Sequence, residues 1–303
     1  MSIGGMLSGI FVLPGLAVGI TGSSVWLAFL VAALCILPAV LSKSELGTAM
    51  PKSGGTYVYI ERAFGPLFGT IAGIGLWLSL LLKSAFSLVG LSAYLYVVVN
   101  IDEAYTKAIA LLALLLIFLL NVFGLKKVEK TQLFIVSVSL ISLIVIIVLG
   151  FSSFDTKLTE PVFSDGTNGF IAGVAFLYIS YAGVTKIAAI AGEIKNPAKN
   201  LPLTMIISLF LITTIYCMVA LALVGNVEAS ILATDIKPIH TLFQTIGGET
   251  FGLVAGVVGA LTLLSMANSG VLASSRFPFA MSKDGLLPGY LSGINSKFMT
   301  PVS

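Results

Sequence analysis

The sequence predicts an all-α, multi-pass membrane protein of about eight crossings, and three observations predict it. The first is composition: of 303 residues, 57% are hydrophobic and only 10% charged, with a mean hydropathy of +1.08, more apolar than a water-soluble domain. The second is that the apolar residues gather into runs about as long as a helix needs to cross a hydrocarbon core of ~30 Å at ~1.5 Å per residue. The third is that basic residues collect in every other connection between those runs, as they do when successive connections lie on opposite sides of a bilayer.

The first apolar segment runs from about Ile3 to Ile20 and the second from about Ser24 to Leu46, interrupted by Pro38. A third, long one spans Pro66 to Val99 and carries Lys83 near its middle. The fourth, Ala104 to Phe123, leads to Lys126, Lys127 and Lys130, and the fifth runs from Gln132 to Gly150. The sixth, Gly169 to Ala191, leads to Lys195 and Lys199; the seventh spans Leu203 to Val224 and the eighth Phe251 to Ala273. On this path Lys43, Lys52, Arg62, Lys126, Lys127, Lys130, Lys195, Lys199, Arg276, Lys283 and Lys297 fall on one side, against Lys107, Lys157 and Lys237 on the other. The positive-inside rule then places the amino terminus in the cytoplasm. No basic region or small-residue cleavage site marks the start as a removable signal peptide.

Two segments break the regular pattern. Leu7-Ser8-Gly9-Ile10-Phe11 with Pro14-Gly15 lies inside the first, and Ser180-Tyr181-Ala182-Gly183 inside the sixth. An unwound turn survives in hydrocarbon only where it lines a cavity or meets a ligand. Freed N–H groups at the start of a half-helix suit a carboxylate, and freed carbonyls suit an ammonium group or cation, so the pair describes a seat for a zwitterion. Matching positions in the two halves are the mark of inverted-repeat transporters; the bland alternative is that glycine serves close helix packing. The expected halves are residues 1–150, with five helices, and 151–303, with three and the connection toward a fourth.

Other chemistries find little support. Cys35 and Cys217 sit in apolar runs with no paired spacing, and His240, the single histidine, is expected as a solvated loop residue with no partner for a metal or nucleophile. The runs Gly4-Gly5 and Gly73-Ile74-Gly75 carry no phosphate-binding lysine, and no basic, aromatic-interleaved patch suggests nucleic acid.

Several stretches together carry a family resemblance. They are Ser8-Gly9-Ile10-Phe11 through Pro14-Gly15, Glu45-Leu46-Gly47-Thr48-Ala49-Met50-Pro51-Lys52-Ser53-Gly54-Gly55 with Tyr57 and Tyr59, Tyr181-Ala182-Gly183 with Gly192-Glu193-Ile194-Lys195-Asn196-Pro197 and Asn200-Leu201-Pro202, and Ser275-Arg276 with Ala280-Met281-Ser282-Lys283-Asp284-Gly285-Leu286-Leu287-Pro288. In this order they resemble the amino acid-polyamine-organocation (APC) superfamily of amino acid permeases. The resemblance implies a five-plus-five inverted-repeat fold with discontinuous first and sixth helices, alternating access, and an amino acid held between those helices, with the third and eighth as walls. The last residues, Lys297 to Ser303, resemble the connection into a ninth helix, so the chain is expected to be a fragment of a permease.

Site residues follow from the same resemblance. Ser8, Gly9 and Ile10 would present N–H groups to the substrate carboxylate; the plain alternative for Ser8 is a hydroxyl bonded one turn back. Ile179, Ser180, Tyr181, Ala182 and Gly183 would face the amine with their carbonyls, Tyr181 closing over the side chain. Lys83, at the centre of a long helix and too far from either end to snorkel, must face protein or a wet cavity; it is read as a coupling or selectivity residue, with Glu45 or helix-end carbonyls as candidate partners. Lys186 and Glu193 are weaker candidates for coupling or an inner gate, against a snorkelling lysine and a fixed salt bridge. Ser265, Asn268 and Ser269 offer oxygens to a sodium ion, although such serines commonly satisfy their own backbone. No metal site or cofactor is expected, and the coupling ion, proton or sodium, stays open, as do symport, antiport and oligomeric state. The expected function is secondary transport of a small, neutral amino acid across the cytoplasmic membrane. The alternative is a non-transporting membrane subunit, an intramembrane enzyme or an inactive fragment.

Overall fold

Residues 2–50, 55–99, 103–122, 128–163, 166–194 and 196–293 are described in the computed structural model of the chain, and among them there are ten α-helices and no strand. They are α1 (Ser2–Thr21), α2 (Val25–Ala49), α3 (Thr56–Phe64), α4 (Pro66–Val99), α5 (Thr106–Val122), α6 (Val128–Ser152), α7 (Gly166–Tyr178), α8 (Pro197–Val224), α9 (Ala229–Leu232) and α10 (Pro238–Lys283). Between α7 and α8 lies a 3-10 segment, Ile179–Glu193. Six stretches of the described chain are long and apolar enough to cross a bilayer, the first of them, Ile3–Ala49, containing both α1 and α2; a shorter apolar helix covers Thr106–Asn121. The chain is a multi-pass membrane protein.

The turn between α1 and α2 reverses the chain. Gly22, in the left-handed region at φ 61°, opens a short 3-10 turn over Gly22–Ser24. Gly4, near the start of α1, packs on Gln132 and Val136 in the first turns of α6, whereas Ser23 donates to the Leu158 carbonyl (3.4 Å) beyond the end of α6. Gly47 at the end of α2 meets Leu201 in the first turn of α8. The ends of α6 and α8 lie together, Asn226 donating to the Gly150 carbonyl at 2.8 Å. α4 and α10 run antiparallel along each other: Gly73 meets Met281, and Gly256 and Gly259 meet Val98 and Tyr94.

These contacts put the ends of α2 and α10 and the starts of α4, α6 and α8 on one face. That face carries Lys43, Arg62, Lys199 and Lys283, and the starts of α5 and α10 carry Lys107 and Lys237 on the other. A nine-residue helix the sequence reading omitted, α3, closes the cationic face. It is framed by Gly55 and Gly65, both at positive φ, and buries Tyr57, Val58 and Tyr59 against Leu80, Phe277 and Met281. Tyr57 donates to the Asp284 carboxylate at 2.7 Å, tying α3 to the end of α10.

Two expectations are corrected. His240 is not a solvated loop residue: it is 6% exposed, and its Nδ1 pairs with the Gly252 carbonyl at 2.8 Å. The cause is a fold-back at Gly248 (φ 76°, ψ −170°), which lays the first ten residues of α10 on its long remainder, with Gly252 leaving room for the ring. The first membrane segment, expected to be discontinuous, is a single α-helix from Ser2 to Thr21. Its glycines serve packing instead: the Gly5 and Met6 backbone touches Gly183 so closely that no side chain fits between.

Candidate functional site

The two stretches expected to meet do meet. A Cβ on Gly9 would lie 3.1 Å from Ser180 and 3.2 Å from the Tyr216 hydroxyl, and one on Gly183 would fall 2.4 Å from the Gly5 carbonyl group. α1 and the start of the 3-10 segment are thus in backbone contact at the centre of the molecule, and Ile10, Ser180 and Tyr181 are all fully buried.

Each side of this contact shows a loosened backbone. On α1, Pro14 has no N–H to give the Ile10 carbonyl, which removes one rung of the helix. One residue on, the Phe11 carbonyl accepts from the buried Tyr94 hydroxyl of α4 at 2.6 Å, and one turn back the Met6 carbonyl accepts from the buried Tyr216 hydroxyl of α8. In a continuous α-helix the N–H groups of Ser8, Gly9 and Ile10 bond to carbonyls four residues earlier, so the carboxylate seat is shut in this conformation. On the other side α7 stops at Tyr178, within two residues of the expected break, and gives way to 3-10 geometry over fifteen residues. So long a 3-10 run is uncommon and marks strain or a hinge. β-branched Ile179, Val184 and Ile187 and the contact glycine Gly183 give the α form little local support.

Lys83 reaches this join. From the middle of α4 its Nζ donates to the Ile179 carbonyl at 3.2 Å, a cation on the carbonyl end of α7, where helix geometry favours one. Of the two partners considered, the helix-end carbonyl is the one found; Glu45 is exposed in the last turns of α2. Next to Ile179, the buried Ser180 hydroxyl has no hydrogen-bond partner among the described residues. Tyr181 donates to the Phe29 carbonyl at 3.0 Å, meets the Phe29 ring edge to face at 6.5 Å between centroids and lies tilted against the Tyr216 ring at 5.4 Å. Ala182 is half-buried beside it.

The side chains of Ser8, Lys186 and Glu193 lie outside the described part of the structure. On α10, Asn268 accepts from Asn121 of α5 at 2.6 Å, so its oxygen already has a partner. Ser269 is buried, Ser265 half-buried, and among the described residues no cluster of histidine, cysteine or carboxylate could hold a metal. A hollow of about 540 Å³ between α2 and α8 is lined by Trp26, Leu30, Leu34, Phe210, Cys217 and other mostly apolar residues. Its two threonines, Thr213 and Thr214, donate to carbonyls of their own helix, and no charged side chain lines it to pair with the ends of a zwitterion.

Sequence reasoning missed Tyr94 and Tyr216, which sit in apolar runs. The signal was their depth: a tyrosine far from a bilayer interface needs a partner for its hydroxyl.

The amino acid permease family profile matches residues 1–303. The branched-chain amino acid permease BcaP of Bacillus subtilis (strain 168) is 28% identical over 99% of this chain and 69% of its own length. The serine/threonine exchanger SteT of the same organism is 29% identical over 97% of the chain and 69% of its own length. The chloroplastic cationic amino acid transporter 7 of Arabidopsis thaliana is 24% identical over 100% of the chain and 56% of its own length. The chain therefore spans between 56% and 69% of these relatives.

Proposed function

We propose that this chain, which belongs to the amino acid permease family, carries a small, neutral L-amino acid across the cytoplasmic membrane by alternating access. The observation that supports the reading is the buried meeting of Met6–Phe11 on α1 with Ile179–Gly183, where α7 gives way to 3-10 geometry, with a lysine at the edge of the contact. Substrate enters where they part: its carboxylate takes N–H groups of Ser8, Gly9 and Ile10 as α1 opens at their bonds to the Gly4, Gly5 and Met6 carbonyls. Its amine takes the carbonyls at the α7 join. α4 and α10 wall the seat, and Tyr181 closes over the side chain. The amino terminus lies in the cytoplasm, on the cationic face, and no covalent chemistry belongs to this reading.

The relatives' names cover branched-chain, hydroxylated and cationic amino acids, so the family alone does not choose a substrate. Lys83 does. An ammonium group ~4 Å from a second cation costs up to ~4 kcal/mol at the effective dielectric of a partly wet site. Accumulation driven by a proton gradient and exchange of one amino acid for another both fit the geometry. The test is uptake of labelled alanine and arginine into liposomes reconstituted with the chain. Saturable alanine uptake well above arginine uptake supports the reading, and preference for arginine or lysine overturns it.

A further inference from the structure

The two backbone carbonyls best placed for a substrate's amine are both occupied by the protein's own donors. The Met6 carbonyl on α1 accepts from Tyr216, and the Ile179 carbonyl at the α7 join accepts from the Lys83 ammonium at 3.2 Å. The second contact matters more, because an alkylammonium is the same chemical group that an amino acid brings.

We propose that Lys83 is a tethered stand-in for the substrate's ammonium group, which an incoming amino acid must displace from the Ile179 carbonyl. The inference rests on the permease reading and adds to it a mechanism of selection. In the closed form the join keeps a cationic partner on its helix-end carbonyl, so the break does not leave a bare acceptor in hydrocarbon. Substrate amine and Lys83 compete for one acceptor, and the displaced lysine swings along α4 toward Ser84 and Ser87. Those residues are buried on the same face, and the Ser87 hydroxyl is hydrogen-bonded to the Lys83 carbonyl at 3.1 Å. A molecule with the carboxylate but no amine gains nothing from the exchange. A substrate that brings a second cation meets the displaced one.

The experiment compares alanine with propionate, its deaminated analogue, by titration calorimetry on the purified chain and on Lys83→Met, which keeps the stem and removes the charge. Removing the competitor frees a charge-assisted acceptor, so alanine should bind about tenfold more tightly to Lys83→Met while propionate binding stays within twofold. A second measurement needs no variant: acylation of Lys83 in the wild-type chain by a small amine-reactive reagent, mapped by mass spectrometry and taken relative to the exposed Lys199 because alanine consumes reagent too, should rise when alanine is added and not when propionate is. Equal shifts for both ligands, weaker alanine binding by Lys83→Met, or unchanged acylation on adding alanine overturns the inference and leaves the permease reading standing. Absence of saturable alanine binding to the wild type overturns that reading and the inference with it.

Discussion

Replacing Gly183 by alanine puts a methyl group where the backbone of α1 already is. The added Cβ would lie 2.4 Å from the carbonyl carbon and oxygen of Gly5 and 2.7 Å from the Met6 nitrogen, all main-chain atoms that cannot rotate away. Overpacking in a tight core costs about 1–3 kcal/mol, and a clash with the rigid Gly5–Met6 peptide belongs at the top of that range. About 3 kcal/mol is roughly a hundredfold shift away from the closed contact, and a lowering of the melting temperature by about 5 °C. Two companions calibrate the result. Gly9→Ala meets side-chain atoms of Ser180 and Tyr216 at 3.1–3.2 Å, which can yield by tenths of an ångström, and should cost about 1 kcal/mol. Gly75, on the exposed flank of α4, has nothing within 4 Å of an added Cβ, and Gly75→Ala should be neutral or stabilising by up to about 1 kcal/mol. Thermal unfolding of the purified variants should rank Gly75→Ala at or above wild type, then Gly9→Ala, then Gly183→Ala. A Gly183→Ala protein that melts with the wild type would refute the backbone contact on which the site is built.

Lys83→Ala should abolish alanine accumulation driven by a pH gradient in reconstituted liposomes; accumulation equal to wild type would remove Lys83 from the coupling. At the cationic face, burial first and then the hydrogen bond and charge of Asp284 raise the pKa of Tyr57. A phenol held above its ordinary value stabilises the fold fully below about pH 10 and loses that contribution as pH climbs toward the raised value. Melting temperature should therefore fall more steeply between pH 9 and 11 in wild type than in Tyr57→Phe, which should itself cost about 1 kcal/mol at pH 7. Parallel curves would show that the Tyr57 to Asp284 contact carries no stability.

Much of this arrangement was legible because membrane burial writes long, uniform signals. The limits of α4 were expected at Pro66 and Val99 and are found there, and the change of geometry in the sixth segment begins at Ile179, against an expected Ser180. A lysine in mid-helix announced its need for a partner, and the helix-end carbonyl was one of two foreseen. The glycines of α1 were ambiguous for a physical reason: a missing Cβ permits unwinding and permits close approach equally, and only the distant Gly183 decides between them. Pairings that depend on tertiary contact, such as Asn121 with Asn268 or His240 with Gly252, leave no local mark. α3 was hidden by its length and pattern, since its nine residues bury the consecutive Tyr57, Val58 and Tyr59 rather than positions three or four apart.

The account stands on one place in the molecule, the contact of Met6–Phe11 with Ile179–Gly183. Photolabelling with a diazirine-bearing neutral amino acid, competed by alanine and mapped by mass spectrometry, tests it directly. Alanine-protected adducts should fall within those two stretches and on the faces of α4 and α10 beside them. Protected adducts confined to the hollow between α2 and α8, or to the ends of the helices, would contradict it.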